Sequence, residues 1–474
     1  MIKISLKERR KFGQHFTSPV IFELYILPEI KHNLHNYVWV DLFAGSGNLI
    51  LPILKTIPKK QRVDFFKDHI YLFDVQEQCI EETIKHAVSL GIPRDIAKKN
   101  IILNDSLRSF PKILSKSHLK FPIFHITNPP YLYLGYIVKS KETQKYISLF
   151  QGDNKGYQDL YQLALINDLR NNVKDMIYII PSNFLFGNSV SNKIRDDLLK
   201  FYRIKNMYII EKKIFKYTGT NVMITFFERK DEVKNEILEF KGVKIGEDKE
   251  IEKVKTYKLS PKYHYKAGFE FEDFIEKMKA KTPLKSSYYL KISEINSCLG
   301  STNVNLIDSN DFNGSSYRKI NFPVNQELFE KIKTNPLWIR TVDTGSWNGR
   351  AGLYSINEIF NVDGILVTKN TYRTNPIQIF FHTPITVDEQ FLLKDYFNLI
   401  LEYLRKITDS EFMTTYKYSG ANYTRKYFGL SQAKKLIETF PIRVLNEAQL
   451  EKFKKLIKSK DSKSLLFFLK NNRN

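Results

Sequence analysis

Tyr37-Val-Trp-Val-Asp41-Leu-Phe-Ala-Gly45-Ser-Gly47-Asn48 passes from a continuous apolar run straight into a glycine turn. A short apolar run bounded by turn residues reads as a strand buried on both faces. A Gly-x-Gly turn behind it lets a ligand approach the backbone where a helix starts. Working outward, Ile70-Tyr-Leu-Phe-Asp74, Ile101-Ile-Leu-Asn104-Asp105 and Phe124-His-Ile-Thr127 repeat the pattern, and residues 75–90 read as a helix. Met176 to Pro181 and Val222 to Phe227 add two more strands. Strands alternating with helices predict a parallel sheet covered by helices, an α/β domain over residues 1–230. The charged, apolar-poor stretch 231–255 reads as a linker. Residues 256–474 read as a second, mixed α+β domain with helices near 389–407 and 447–470.

The 474 residues are 42% hydrophobic and 14% aromatic, which excludes collagen-like and disordered chains. Cys79 and Cys298 are too few for a disulfide framework or a four-thiolate zinc site and fit a reducing cytosol. No apolar run reaches the roughly 18 residues that span a bilayer, and the opening residues carry no signal-like segment, so a cytoplasmic location without membrane partners is expected. The net charge of +23 favours a polyanion. Its distribution says more: residues 1–230 carry +14, residues 231–400 carry 0, and residues 401–474 carry +9. A genome rich in Lys codons would raise the total without leaving a neutral middle. Two basic lobes gripping a phosphate backbone account for it, because each neutralised phosphate releases counterions.

Chemistry concentrates at the ends of the expected strands. Asp41, Asp74 and Asp105 place acids at three neighbouring strand ends, and an acid at the end of a second strand suits a ribose diol. Asn128-Pro129-Pro130-Tyr131 directly follows the strand ending in Thr127. Two successive prolines donate no N–H and hold fixed φ angles, so they form a stiff rim of carbonyl acceptors. The Asn128 side-chain oxygen and the Pro129 carbonyl together suit an exocyclic amino group, and Tyr131 offers a ring for a planar base.

These motifs, in this order, resemble the amino-methylating DNA methyltransferases, and specifically the gamma class of adenine-N6 enzymes, the Taq-type group of type II restriction-modification systems. The resemblance covers roughly residues 8–230. It implies a class I S-adenosylmethionine-dependent methyltransferase fold, Rossmann-like with a seven-stranded, mostly parallel sheet. Gly13-Gln-His15-Phe16-Thr17 resembles the motif at the methionine end of the cofactor. The turn from Asp41 through Phe43, Ala44, Gly45 and Gly47 resembles the main cofactor motif. Asp74 with Val75 resembles the ribose site, and Asp105 with Ser106 the adenine site. Asn128 to Tyr131 resembles the catalytic tetrapeptide, and Phe215 the aromatic on the other face of the target base, with Tyr217 as the alternative. Ser106 stands where the family often has Phe, and Val75-Gln76-Glu77 lacks the usual proline.

The resemblance implies methyl transfer from S-adenosylmethionine to N6 of a flipped-out adenine in duplex DNA, with no metal required. It also implies a monomer in a bacterial, nucleoid-associated setting, alongside a separate restriction endonuclease. Residues 256–474 would then recognise the DNA target. Trp347 and Arg350, and Tyr418, Tyr423, Arg425 and Lys426, are side-chain types that reach bases and phosphates. Rival readings are an RNA-adenine or protein-glutamine methyltransferase, since Asn-Pro-Pro-Tyr also serves glutamine amides, and a nonenzymatic DNA-binding specificity subunit. Glu239-Phe-Lys241 has the form of a nuclease site, but the chain lacks room for a fused nuclease domain.

Overall fold

The computed structural model of the chain describes residues 17–114, 119–211, 221–246, 252–344, 349–371, 375–415 and 425–472. The chain divides into two compact units, one over residues 1–267 with 417–422 and one over residues 268–416 with 423–474.

Among its described residues the first unit is built on a nine-stranded sheet. Its strands are β1 (Val38–Asp41), β2 (Ile70–Asp74), β3 (Ile101–Leu103), β4 (Ile123–Thr127), β5 (Asp175–Pro181), β6 (Tyr202–Ile210), β7 (Val222–Arg229), β8 (Leu238–Ile245) and β9 (Glu252–Leu259). They lie in the order β3-β2-β1-β4-β5-β7-β6-β8-β9. The first five are parallel, and β7 runs antiparallel between β5 and β6. The apolar runs form strands because both faces of the sheet are covered. Along β5, Met176, Tyr178 and Ile180 enter one core while Ile177 and Ile179 enter the other. The expected helix after β2 spans Glu77–Ser89 and turns Cys79, Thr83, Ile84 and Ala87 inward. Because β1 pairs with β2 on one side and β4 on the other, successive connections leave the sheet in opposite directions there. That switch point opens a crevice at the strands' carboxyl ends.

Within the first unit two expectations need correction. The stretch 231–255 is not simply a linker: β8 lies within it and β9 begins in it, extending the seven strands to nine. Phe240, Tyr257 and Leu259 are buried, with the Phe240 and Tyr257 rings stacked at 5.4 Å. Glu239, Lys241, Lys253 and Lys258 occupy the exposed positions. β9 is at the sheet's edge, where lysines discourage pairing with other chains, and on both strands the outward charges mask the period-2 pattern. Behind the glycine turn, the expected helix is a short 3-10 run, Leu51–Lys55, with Pro52 at its second position.

The second unit is mixed α+β, with sheets of four, four and three strands among its described residues. Its longest helix, Val387–Thr408, starts with a capping box between Thr386 and Glu389. Leu393, Tyr396, Phe397, Ile400, Leu401 and Leu404 form its buried stripe. Within its core Arg405 donates from Nη2 to Asp343 at 2.9 Å and to the Ala351 carbonyl at 2.6 Å. The expected 447–470 helix is two, Glu447–Lys458 and Ser462–Asn471, separated at Lys460 (φ +56°) and restarted by the Asp461 cap.

Candidate active site

β1 delivers Asp41 to the mouth of the switch point. Its buried Oδ1 accepts the Thr127 hydroxyl at 2.6 Å and the Phe43 N–H at 2.9 Å. Burial pushes its carboxyl up to about 6, against the Thr127 bond, which favours the charged form. The chain then turns through Gly45 (φ +55°) and Gly47 (φ +73°), backbone angles that suit glycine. A Cβ on Gly47 would lie 2.7 Å from Leu51 Cδ1, so this glycine serves packing inside the protein. Thr83, on the Glu77–Ser89 helix, donates its hydroxyl to the Gly45 carbonyl at 2.8 Å and so fixes the turn from behind.

The ends of β2 and β3 supply the other acids. Asp74 Oδ2 accepts the Gly45 N–H and Oδ1 the Gln76 N–H, both at 2.9 Å. Burial raises its carboxyl, opposed by these backbone bonds. Asp105 Oδ1 accepts the Leu107 N–H at 3.2 Å, and Arg108 Nε lies 3.2 Å from Oδ2. At the end of β4, Asn128 Nδ2 donates to Thr17 Oγ1 at 2.9 Å. The Tyr131 hydroxyl lies within hydrogen-bonding distance of both Asn128 Oδ1 and the Ile179 carbonyl. Burial raises the Tyr131 phenol well above its usual value, so it is a protonated donor. Its ring packs partly buried against the core, edge-on to Tyr161.

Phe43, Gly45, Asp74, Val75, Asp105, Ser106, Asn128, Pro129 and Pro130 line one cavity of about 520 Å³, inside the usual range for small-molecule sites. Thr17, Asp41 and Ala44 line a pocket of about 30 Å³ that shares Phe43, Gly45 and Asn128 with it. Gly47 and Tyr131 belong to neither lining. Phe16, Phe215 and Tyr217 lie outside the described residues. The donor set fits a nucleoside: two carboxylates on adjacent strand ends suit a diol and an exocyclic amine. Val75, 59% exposed at the cavity wall, offers an apolar surface for a planar ring. Burial pushes the Cys79 thiol in the same wall up to about 12, so it stays protonated.

Residues 1–320 match the family model described as N-6 DNA Methylase. The chain belongs to the N-6 DNA methylase family. No curated protein matches it. Among solved structures it is similar to the Type IIL restriction-modification enzyme MmeI in complex with DNA, at 14% identity and a TM-score of 0.54, over 99% of this chain and 77% of that one. It is also similar to the DrdV–DNA complex (12% identity, TM-score 0.40, 54% of this chain and 31% of that one). A modification subunit of a putative type I restriction enzyme from Vibrio vulnificus YJ016 matches at 12% identity and a TM-score of 0.35, over 72% of this chain and 58% of that one. The chain thus spans less than a third of the DrdV chain. The MmeI likeness shows a shared fold over nearly the whole of this chain.

In this N-6 DNA methylase the cavity has a wall that the motifs did not announce. Lys145 and Tyr146, from the 3-10 segment Lys141–Phe150, join Arg108, Gln76 and Leu160 in its lining. Nothing in their spacing marks them, because the segment is distant in sequence from every strand end. Among the DNA-reading candidates, Lys426 pairs in a small sheet with Asp343 and Thr415, and its ammonium donates to the Asp409 carbonyl at 3.0 Å. Arg425 precedes it, half-buried, and the Arg350 carbonyl accepts the Tyr354 hydroxyl at 2.7 Å. Trp347, Tyr418 and Tyr423 lie outside the described residues. No described helix is long and apolar enough to cross a membrane.

Proposed function

We propose that the chain is a site-specific DNA methyltransferase that modifies N6 of an adenine flipped out of duplex DNA. It would follow the gamma-class, Taq-type motif order and act in a restriction-modification system beside a separate endonuclease. The observation that carries this reading is the convergence of Asn128 and Pro129 with Gly45, Asp74 and Asp105 on one cavity. Asp74 would hold the ribose hydroxyls of S-adenosylmethionine, Asp105 its adenine amino group and Val75 the ring face. S-adenosylmethionine, when bound, supplies an electrophilic methyl group.

The protein's part in the transfer is grip and orientation. Asn128 Oδ1 and the Pro129 carbonyl would accept the target amino group's two hydrogens. An amide oxygen accepts two hydrogen bonds, so the base would bond it beside the Tyr131 phenol or in its place. These acceptors strengthen their hold as positive charge grows on the nitrogen, which is differential stabilisation of the transition state. Tyr131 and Phe215 would flank the base, where stacking of about 1–3 kcal/mol per base offsets the few kcal/mol of unstacking. The second unit, within the expected 256–474 region, would read the DNA site with Trp347, Arg350, Tyr418, Tyr423, Arg425 and Lys426.

Single-molecule sequencing of DNA from cells expressing the chain tests this directly. N6-methyladenine in one sequence context is expected. Asn128→Ala should lower transfer by at least about 100-fold while the purified protein still binds S-adenosylmethionine. Methyl recovered on RNA or on glutamine would replace this reading with one of its rivals, and methyl on cytosine carbon would overturn it.

A further inference from the structure

A buried polar chain lies directly behind the cavity wall, and the proposed reaction does not use it. β1 ends at Asp41, so the next peptide, that of Leu42, has left the strand ladder and its buried N–H needs another acceptor. That acceptor is a side chain. His125 of β4, 1% exposed, takes the Leu42 N–H on Nε2 at 3.2 Å. On its other side His125 Nδ1 bonds Asp168 Oδ2, a short contact to a fully buried carboxylate on the Leu160–Arg170 helix. The same oxygen accepts the hydroxyl of Tyr178, from β5, at 2.7 Å.

The geometry dictates the tautomer. Nε2 accepts only if it carries a lone pair, which places the ring proton on Nδ1, facing Asp168. Asp168, braced by Tyr178, therefore decides whether Leu42 is held. Two residues along β4, Thr127 grips Asp41, which grips the Phe43 N–H. The strand that carries Asn128 thus fixes two successive peptides of the loop that carries Gly45.

We propose that His125 is a positioning residue: through a tautomer set by Asp168 and Tyr178, it holds the Leu42 peptide so that Phe43 and Gly45 keep the shape that binds the cofactor. The assignment rests on reading the cavity as an S-adenosylmethionine site.

Two near-isosteric variants separate the two sides of the imidazole. His125→Gln retains an acceptor near the Nε2 position and would still take the Leu42 N–H. His125→Asn retains a donor near Nδ1, toward Asp168, and leaves Leu42 without its acceptor. Calorimetry with S-adenosylhomocysteine, which cannot react, should show the dissociation constant rising about tenfold or more in His125→Asn, the loss of one buried hydrogen bond. His125→Gln should stay within about threefold of the unmodified chain. Hydrogen exchange without ligand should quicken over residues 41–47 in His125→Asn and not elsewhere in the sheet. Tyr178→Phe, which removes only a hydroxyl, should shift both readouts the same way by a smaller factor and serves if the histidine variants do not fold. Unchanged affinity and unchanged local exchange in folded His125→Asn overturn the proposal, as does an equal loss in both histidine variants that tracks their melting temperatures. If the unmodified chain does not bind the probe, the reading of the cavity falls, and exchange over residues 41–47 still decides whether His125 sets the loop.

Discussion

Asp159 sits two residues before Tyr161, and its Oδ1 accepts the Leu132 N–H at 2.9 Å, directly behind the Asn128–Tyr131 tetrapeptide. Burial raises its carboxyl from 3.8 to about 7, against the backbone N–H groups that favour the charged form. A raised carboxyl binds its proton more tightly in the folded state. Its contribution to stability is therefore greatest below about pH 4 and declines as pH rises through the window from 3.8 to about 7. Asp159→Asn keeps an acceptor for Leu132 and removes the ionisation. Urea unfolding should find the variant more stable than the unmodified chain at pH 8, by on the order of 4 kcal/mol, with the gap closing near pH 4. A gap that does not vary with pH would show that Asp159 ionises as freely folded as unfolded. Asp74 is tied differently, because its two oxygens already anchor Gly45 and Gln76. Asp74→Ala would strand the Gly45 N–H and remove the proposed diol acceptor together. The dissociation constant for S-adenosylmethionine should rise at least about tenfold in calorimetry, and an unchanged value would move the ribose site elsewhere.

Single elements show what a sequence exposes and what it hides. β1, β2, β4 and β5 are legible as apolar runs because helices cover both faces of the sheet, so no charge interrupts them. β8 and β9 escaped because their outward positions include Glu239, Lys241, Lys253 and Lys258, which break up the apolar run. The strand-end residues Gly45, Asp74, Asp105 and Asn128 are legible for a topological reason: parallel strands deliver their carboxyl ends to one edge, so acids at run ends must converge. Tyr146 and Lys145 reach the cavity from a connection with no periodic signal. His125 and Asp168 read as lone polar interruptions in apolar stretches, and only tertiary packing brings them together. The turn after β1 also carries a prediction. At Gly47 the left-handed φ and the 2.7 Å approach to Leu51 both oppose a Cβ. Gly47→Ala should lose about 1–3 kcal/mol of stability, read as a lower denaturant midpoint. An unaltered midpoint would mean that the turn relaxes at no cost.

Across the whole molecule, the charge pattern bears on DNA directly. The +14 of residues 1–230 and the +9 of residues 401–474 would be costly self-repulsion unless a polyanion relieved it, and the 0 of residues 231–400 argues against a uniform composition bias. If the chain binds duplex DNA with both basic regions, affinity should fall with salt along a log–log slope of about −0.9 for each phosphate neutralised. At least about five contacts, and so a slope steeper than about −4.5, are expected from fluorescence anisotropy over a salt series. Not every lysine should contribute. In the Glu447–Lys458 helix, Phe453 and Ile457 are buried while Lys452, Lys454, Lys455 and Lys458 are exposed, as on any amphipathic helix that solvates its outer face. Replacing Lys452, Lys455 and Lys458 together by Gln removes three charges without touching the buried stripe. If these lysines only solvate the helix, the salt slope should stay within about one of its original value. A slope shallower by two or more would make this helix part of the DNA grip and shift the boundary of the binding surface toward the end of the chain.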